Sequence, residues 1–144
     1  MKKKISIISS AFNEEENVEV LYEQVKEQMQ KLADKYDYEQ IVLDNASTDK
    51  TAQKLREIAS KDKNFKVILN ARNFGHIRSP YYGMLQCSGD AIIYMASDLQ
   101  DPPALIPDFI KKWEEGNKIV LAQKEKSEES PIFFMVRKFY YWLL

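Results

Sequence analysis

An α/β fold, a mostly parallel sheet flanked by helices, is what this sequence predicts, and three features predict it. Apolar, β-branched runs alternate with segments of helical periodicity along the chain. The runs show little polar alternation, which suits strands covered on both faces. The polar and acidic residues that do not lie on helix faces gather in four places, residues 9–13, 44–47, 70–75 and 96–101, each at the end of a run. In parallel α/β sheets ligands bind outside the carboxyl ends of the strands.

Taken in order, residues 4–10 form the first strand. Asn13 is placed to cap the next helix, with Glu14, Glu15 and Glu16 favouring its positive end. Val18, Leu21, Tyr22, Val25, Met29 and Leu32 then recur at helical spacing. Residues 38–43 form the second strand. Ser47 or Thr48 caps the helix after it, whose Ala52, Leu55, Ile58 and Ala59 share a face. Residues 65–69 are the third strand and Asn73-Phe74-Gly75 a turn. Residues 76–87 form a helix that tolerates Pro80 near its first turns, where a missing N–H matters least. Residues 90–96 are the fourth strand, 103–115 a helix, and 118–122 a fifth strand after Gly116. The α/β domain is expected to span 1–124. A charged, flexible loop follows over 125–130, then an apolar helix over 131–144 that calls for something to pack against.

Composition narrows the class. A chain of 144 residues has room for one domain with a real core. With 21 Lys+Arg against 22 Asp+Glu the net charge is -1, so no basic field is available for nucleic acid. The single cysteine, Cys87, excludes an intrachain disulfide framework, fits a reducing compartment and reads as a small buried hydrophobe. Lys2-Lys3-Lys4 before Ile5-Ser6-Ile7-Ile8 has the order of a signal peptide, but the apolar run is too short. No run approaches the roughly 20 apolar residues of a membrane span. Asn45-Ala46-Ser47 matches the glycosylation sequon and is taken as chance.

The chemistry is concentrated in Asp98-Leu99-Gln100-Asp101-Pro102-Pro103. A strand is followed at once by acidic and amide oxygens and then by a rigid turn. Such oxygens suit a hard divalent cation, Mg²⁺ or Mn²⁺, whose shell substrate phosphates complete. Asp98 and Gln100 are two apart and share a side if the backbone there is extended. The plainer alternative is a solvated loop before a helix. At the second strand end Asp44 accepts hydrogen bonds only, which suits a base N–H edge or a ribose hydroxyl, whereas Asp49 reads as a first-turn helix charge. The turn Ser10-Ala11-Phe12-Asn13-Glu14 offers helix-start N–H groups to a base or phosphate, and Phe12 offers a face to a nucleoside. In Arg72-Asn73-Phe74-Gly75-His76, Arg72 is a partner for a nucleotide and Gly75 permits a tight turn, while the lone His76 reads as a cap or packed polar group. With four glycines and neither a Walker loop nor G-x-G-x-x-G, charge neutralisation falls to a metal.

Four blocks in order carry a resemblance: Ile7-Ile8-Ser9-Ser10-Ala11-Phe12-Asn13-Glu14-Glu15-Glu16-Asn17, Ile41-Val42-Leu43-Asp44-Asn45-Ala46-Ser47-Thr48-Asp49, Arg72-Asn73-Phe74-Gly75-His76 and Asp98-Leu99-Gln100-Asp101-Pro102-Pro103. The chain resembles the family-2 glycosyltransferases of GT-A fold, in the branch of the polyprenyl-phosphate sugar transferases. That resemblance implies transfer of a sugar, with inversion by single displacement, from a UDP- or GDP-linked donor to an acceptor such as a polyprenyl phosphate. It implies a substrate site of Ser10, Ala11, Phe12, Glu14, Asp44, Ala46, Arg72, Gly75 and Asp98, and a Mg²⁺ or Mn²⁺ ion on Asp98 and Gln100. The family often has Pro at position 10, Asp-Gly at 45 and 46 and an acid at 96. Here these are Ser10, Asn45-Ala46 and Ala96, so Asp98 is left as the main metal ligand. By the same resemblance the acceptor half, the catalytic base region and the membrane helices of the family would fall beyond Leu144, and the chain resembles the donor-binding half of such an enzyme. It is expected in the cytoplasm, or on the cytoplasmic face of a membrane.

Two readings from other classes stand beside this one. A receiver-type signalling domain has similar length and would place Lys124 after strand five, but it needs an aspartate at the end of strand three, where Leu69-Asn70 stand. A non-catalytic interaction domain would use residues 132–144 for membrane association or for a homo-oligomer.

Overall fold

The structure, a computed structural model, describes residues 2–123 together with 135, 138 and 140. The strands are β1 (Lys3–Ala11), β2 (Tyr36–Asp44), β3 (Phe65–Leu69) and β4 (Ala91–Tyr94), and the helices α1 (Val18–Lys31), α2 (Thr51–Lys61), α3 (Gly75–Met84) and α4 (Ile106–Glu114). The sheet runs β3-β2-β1-β4 with every pair parallel. The expected flanked, parallel α/β sheet is what forms. The expected loop over 125–130 and apolar helix over 131–144 lie outside the described residues, apart from the isolated helical positions 135, 138 and 140.

Register explains the layers. Pairing Ile5 with Tyr38 and Ile7 with Gln40 puts Ile5, Ile7, Tyr36 and Val42 on one face. There α1 buries Val18, Leu21, Tyr22, Val25 and Met29, each worth about 1.5–3 kcal/mol of transfer free energy. α4 adds Ile106 and Ile110 over Ile93 and Met95, and α2 adds Leu55 and Ile58 over Phe65. Among the described residues the other face has one helix, α3, which comes close enough for a Cβ on Gly83 to meet the terminal methyls of Leu43 and Ile8.

Several expectations need correction. α1 begins at Val18 with Asn17 at its cap, not after Asn13. Asn13 sits at φ 56 and its side chain reaches across to the second loop, so it is not free to cap. Neither Ser47 nor Thr48 caps α2. Ser47 Oγ accepts from Asn13 N–H, and Asp49 Oδ1 takes the N–H of Thr51 instead. Pro80 is the sixth residue of α3, inside the helix, and removes the bond that would reach the His76 carbonyl. α3 stops at Met84, where tight turns on Gly83 and Met84 take over, and this leaves Cys87 beyond the helix and half-buried.

β4 is shorter than expected and, among the described residues, covered on one face only, with Ile92 and Tyr94 each 45% exposed. The fifth strand does not form among the described residues. Residues 117–123 carry no ladder, and Ile119 and Leu121 are 81% and 85% exposed. β-branched runs become strands only through cross-strand partners. This run passes beside β4 and α4 without hydrogen-bonding to either as a strand.

Candidate functional site

The parallel register brings all four strand ends to one rim, and hydrogen bonds tie the loops there. Between the first and second loops, Asn13 N–H donates to Ser47 Oγ at 2.9 Å, and Thr48 N–H donates to Asn13 Oδ1 at 2.8 Å. Glu14 N–H reaches the buried Thr51 Oγ1 and Glu15 N–H reaches Asp49 Oδ2. Burial pushes the Asp49 carboxyl up, but hydrogen bonds from Thr51 and Glu15 outweigh it and hold Asp49 below the ordinary carboxylate range. Asp49 is thus a fastener between loops that lies ahead of α2, not the first-turn helix charge expected of it.

Between the second and third loops, Asn70 N–H donates to the Asp44 carbonyl, and Asn45 bonds Phe74, Asn70 and Asn73. The fourth loop joins the first through Ser97 Oγ, which donates to the Ser10 carbonyl at 2.9 Å. α3 joins through Ser79, whose Oγ accepts from Asn70 Nδ2 at 2.9 Å and from Ser10 Oγ.

Within this rim the expected site residues divide. Asp44 is 3% exposed and its two carboxylate oxygens face Ser47 N–H at 3.3 Å. The turn that aims that N–H is made by Ala46 at φ 62. Phe12 is 46% exposed, an open aromatic face on the first loop. Arg72 is exposed, and its guanidinium lies 4.9 Å from the centre of the Phe74 ring. Gly75 adopts φ 81, a conformation that favours glycine, and no atom would meet an added Cβ. Two other residues point elsewhere. Ala11 packs its methyl in the core with Val18 and Tyr22, leaving only backbone near the rim. The Glu14 carboxylate takes Asn17 Nδ2 at 2.6 Å and so braces its own turn.

The 98–101 segment is not extended. Leu99 sits at φ 61 and Gln100 N–H donates to Asp98 Oδ1 at 3.1 Å, which closes a turn. Strand alternation therefore does not align Asp98 with Gln100. Both side chains are exposed, with the half-buried Asp101 beside them. Burial, then the charges of Asp101 and Asp98, push the Tyr94 hydroxyl pKa up. Among the described residues no three His, Cys, Asp or Glu side chains group as a complete metal site. The donor set of Asp98, Asp101 and Gln100 fits a hard cation that takes part of its shell from a diphosphate.

Asn45, Asn70, Asn73 and Ser79 are rim residues that sequence reasoning missed. The one available signal was that three asparagines recur at strand ends, and amides both donate and accept.

In parallel α/β sheets the strand-end rim is where ligands bind, and here its loops are laced into one amide- and acid-rich surface. The chain belongs to glycosyl transferase family 2, which its residues 6–143 match. It is 37% identical over 121 residues to the bactoprenol glucosyl transferase of Shigella phage SfV, covering 84% of this chain and 39% of that protein. It is 34% identical to the undecaprenyl-phosphate 4-deoxy-4-formamido-L-arabinose transferase of Photorhabdus laumondii, covering 89% and 39%. Glucosyl-3-phosphoglycerate synthase from Mycobacterium tuberculosis, solved with Mn²⁺, UDP and phosphoglyceric acid, superposes with a TM-score of 0.56 at 28% identity, covering 77% of this chain and 39% of that one. The fold is that of the GT-A glycosyltransferases. The chain spans about two fifths of the length of the curated relatives it matches.

Proposed function

We propose that residues 1–124 are the donor-binding half of a glycosyltransferase that transfers a sugar from a nucleoside diphosphate to a polyprenyl phosphate. The observation that carries this reading is the rim itself: Asp44, Arg72 and Asp98 stand on three loops that hydrogen bonds join, directly or through the first loop, into one assembly. Asp44 would hold the base or ribose and Phe12 would pack on the nucleoside. Arg72 would face the diphosphate. Asp98, helped by Gln100, would hold Mg²⁺ or Mn²⁺, which neutralises the diphosphate leaving group. The bactoprenol and undecaprenyl-phosphate relatives support the lipid acceptor, and Mn²⁺ with UDP in the mycobacterial synthase supports the donor and the ion.

A phosphate acceptor oxygen is already anionic, so attack on the anomeric carbon makes little demand on a general base, and a single displacement inverts the sugar. The catalytic residues of such a reaction would lie past Leu144, and the working place would be the cytoplasmic face of a membrane. Among the described residues no helix is long and apolar enough to cross one. Calorimetry with UDP or GDP and Mn²⁺ tests the reading. Nucleotide binding that needs the metal and weakens in Asp98→Ala supports it; no binding, or binding indifferent to Asp98→Ala, overturns it.

A further inference from the structure

We infer that Asn45 is a positioning residue that presents Arg72 to the nucleotide, an inference that rests on the nucleotide reading above. Asn45 follows β2 directly and is 4% exposed, yet every polar atom of its side chain is engaged. Its Oδ1 accepts from Phe74 N–H at 2.9 Å and from Asn70 Nδ2 at 3.2 Å. Its Nδ2 donates to Asn73 Oδ1 at 2.8 Å, with the Gly75 carbonyl at 3.4 Å. A backbone N–H can only donate, so the atom facing Phe74 is the oxygen, and the orientation of the amide follows.

The 70–75 loop therefore wraps around one carboxamide that contacts four of its six residues. Its other ties run inward: Asn70 to Ser79 and to the Asp44 carbonyl, and Gly75 N–H to Asn73 Oδ1. Arg72 itself has no ion pair among the described residues; the contact that orients it is the Phe74 ring. Phe74 is held by its own N–H, and that N–H is held by Asn45. Fixing Phe74 fixes the surface on which the guanidinium lies. Asn45 N–H in turn donates to the Ala11 carbonyl, so the loop bearing Arg72 is indexed to β1 and β2 rather than left to wander. A carboxamide can both accept from Phe74 N–H and donate to Asn73 Oδ1. An aspartate would keep the Phe74 bond but set two oxygens together at Asn73, and an alanine would leave the Phe74 and Asn70 donors without their acceptor.

The test is a double-mutant cycle on UDP affinity with Mn²⁺, using Asn45→Ala, Arg72→Ala and both together. Each single variant is expected to lose about tenfold in affinity, and the double variant about the same tenfold, because Asn45 acts through Arg72. Multiplicative losses, about a hundredfold in the double variant, would overturn the proposal while leaving the nucleotide site standing. Absence of UDP binding by the unaltered chain would overturn both. Should Asn45→Ala fail to fold, the exposed Asn73→Ala removes a tie from the loop side and must show the same non-additivity with Arg72→Ala.

Discussion

The carboxylate of Glu39, buried on β2, lies 2.6 Å from the ammonium of Lys66 on β3. Lys4 of β1 approaches the same carboxylate at 3.0 Å, and Ser6 Oγ and the N–H and Oγ of Ser88 also donate to it. One acid thus joins β1, β2, β3 and the turn before β4, at the end of the sheet opposite the rim. Burial alone would raise its pKa. The hydrogen bonds from Lys66, Ser6, Ser88 and Lys4 outweigh burial and hold Glu39 far below the carboxylate range. A depressed folded-state pKa contributes stability that is complete above the unfolded value, about 4.3 for glutamate, and is lost as pH falls towards the folded value. Urea unfolding between pH 7 and pH 3 should therefore show stability falling below about pH 4.3, and Glu39→Gln should flatten that slope while costing about 1–3 kcal/mol at pH 7.

Asp98 faces solvent and is the acid proposed to hold the cation, with Ala96 where the family often has a second. Asp98→Ala should lower the Mn²⁺-dependent part of UDP affinity at least about tenfold and leave the metal-free part unchanged. Ala96→Asp should strengthen Mn²⁺ binding. Titration of UDP with and without Mn²⁺ reads both effects, and equal metal dependence in all three proteins would count against Asp98 as a ligand.

Ala46 holds φ 62, a left-handed conformation that costs a residue bearing a Cβ about 1–2 kcal/mol. Ala46→Gly removes that strain and restores the residue the family often carries, against a loss of about 0.4–1 kcal/mol through the freer unfolded chain. The net expectation is a stability gain approaching 1 kcal/mol, measured by denaturant midpoint. A loss would mean that the methyl of Ala46 packs against something worth more than the strain.

Gly89 has no room for a side chain. A Cβ there would fall 2.7 Å from Ser6 N and 2.8 Å from the Lys4 carbonyl, both backbone of β1. Gly89 N–H also donates to Ser6 Oγ. Gly89→Ala should cost about 1–3 kcal/mol and loosen the β1–β4 pairing. Hydrogen exchange should report this as faster exchange at Met95, whose N–H donates to the Ile8 carbonyl.

How far the sequence could be read depended on the range of the interactions involved. β3 appears at Phe65–Leu69, where the pattern places it, because a short apolar run between turn residues has no competing use. α1 was legible in its face, Val18 to Met29, but not in its start. Asn13 has every local property of a cap, and a residue 35 positions away, Thr48, claims its side chain. Leu99 shows the same limit at the candidate site. A left-handed residue between Asp98 and Gln100 undoes the alternation on which their alignment was argued, and no composition rule marks a leucine for that conformation.

By itself the sequence determined the element types as far as α4, the parallel sheet and the rim on which polar residues would meet, because periodicity and strand-end chemistry are local properties. Tertiary structure alone decided which of those residues stay open to a ligand and which are spent on one another. Arg72 and Asp98 remain exposed at the rim and Asp44 lies buried behind it, while Asp49 and Asn45 are consumed in joining loops and Glu14 in bracing its own turn. It also left 118–122 without a ladder, since a strand exists only where a second edge offers it hydrogen bonds. A hydrogen-bonding group is assigned by the partner that reaches it, and for Asn13, Asn45 and Ser97 the chain brings those partners from segments some 25–87 residues away.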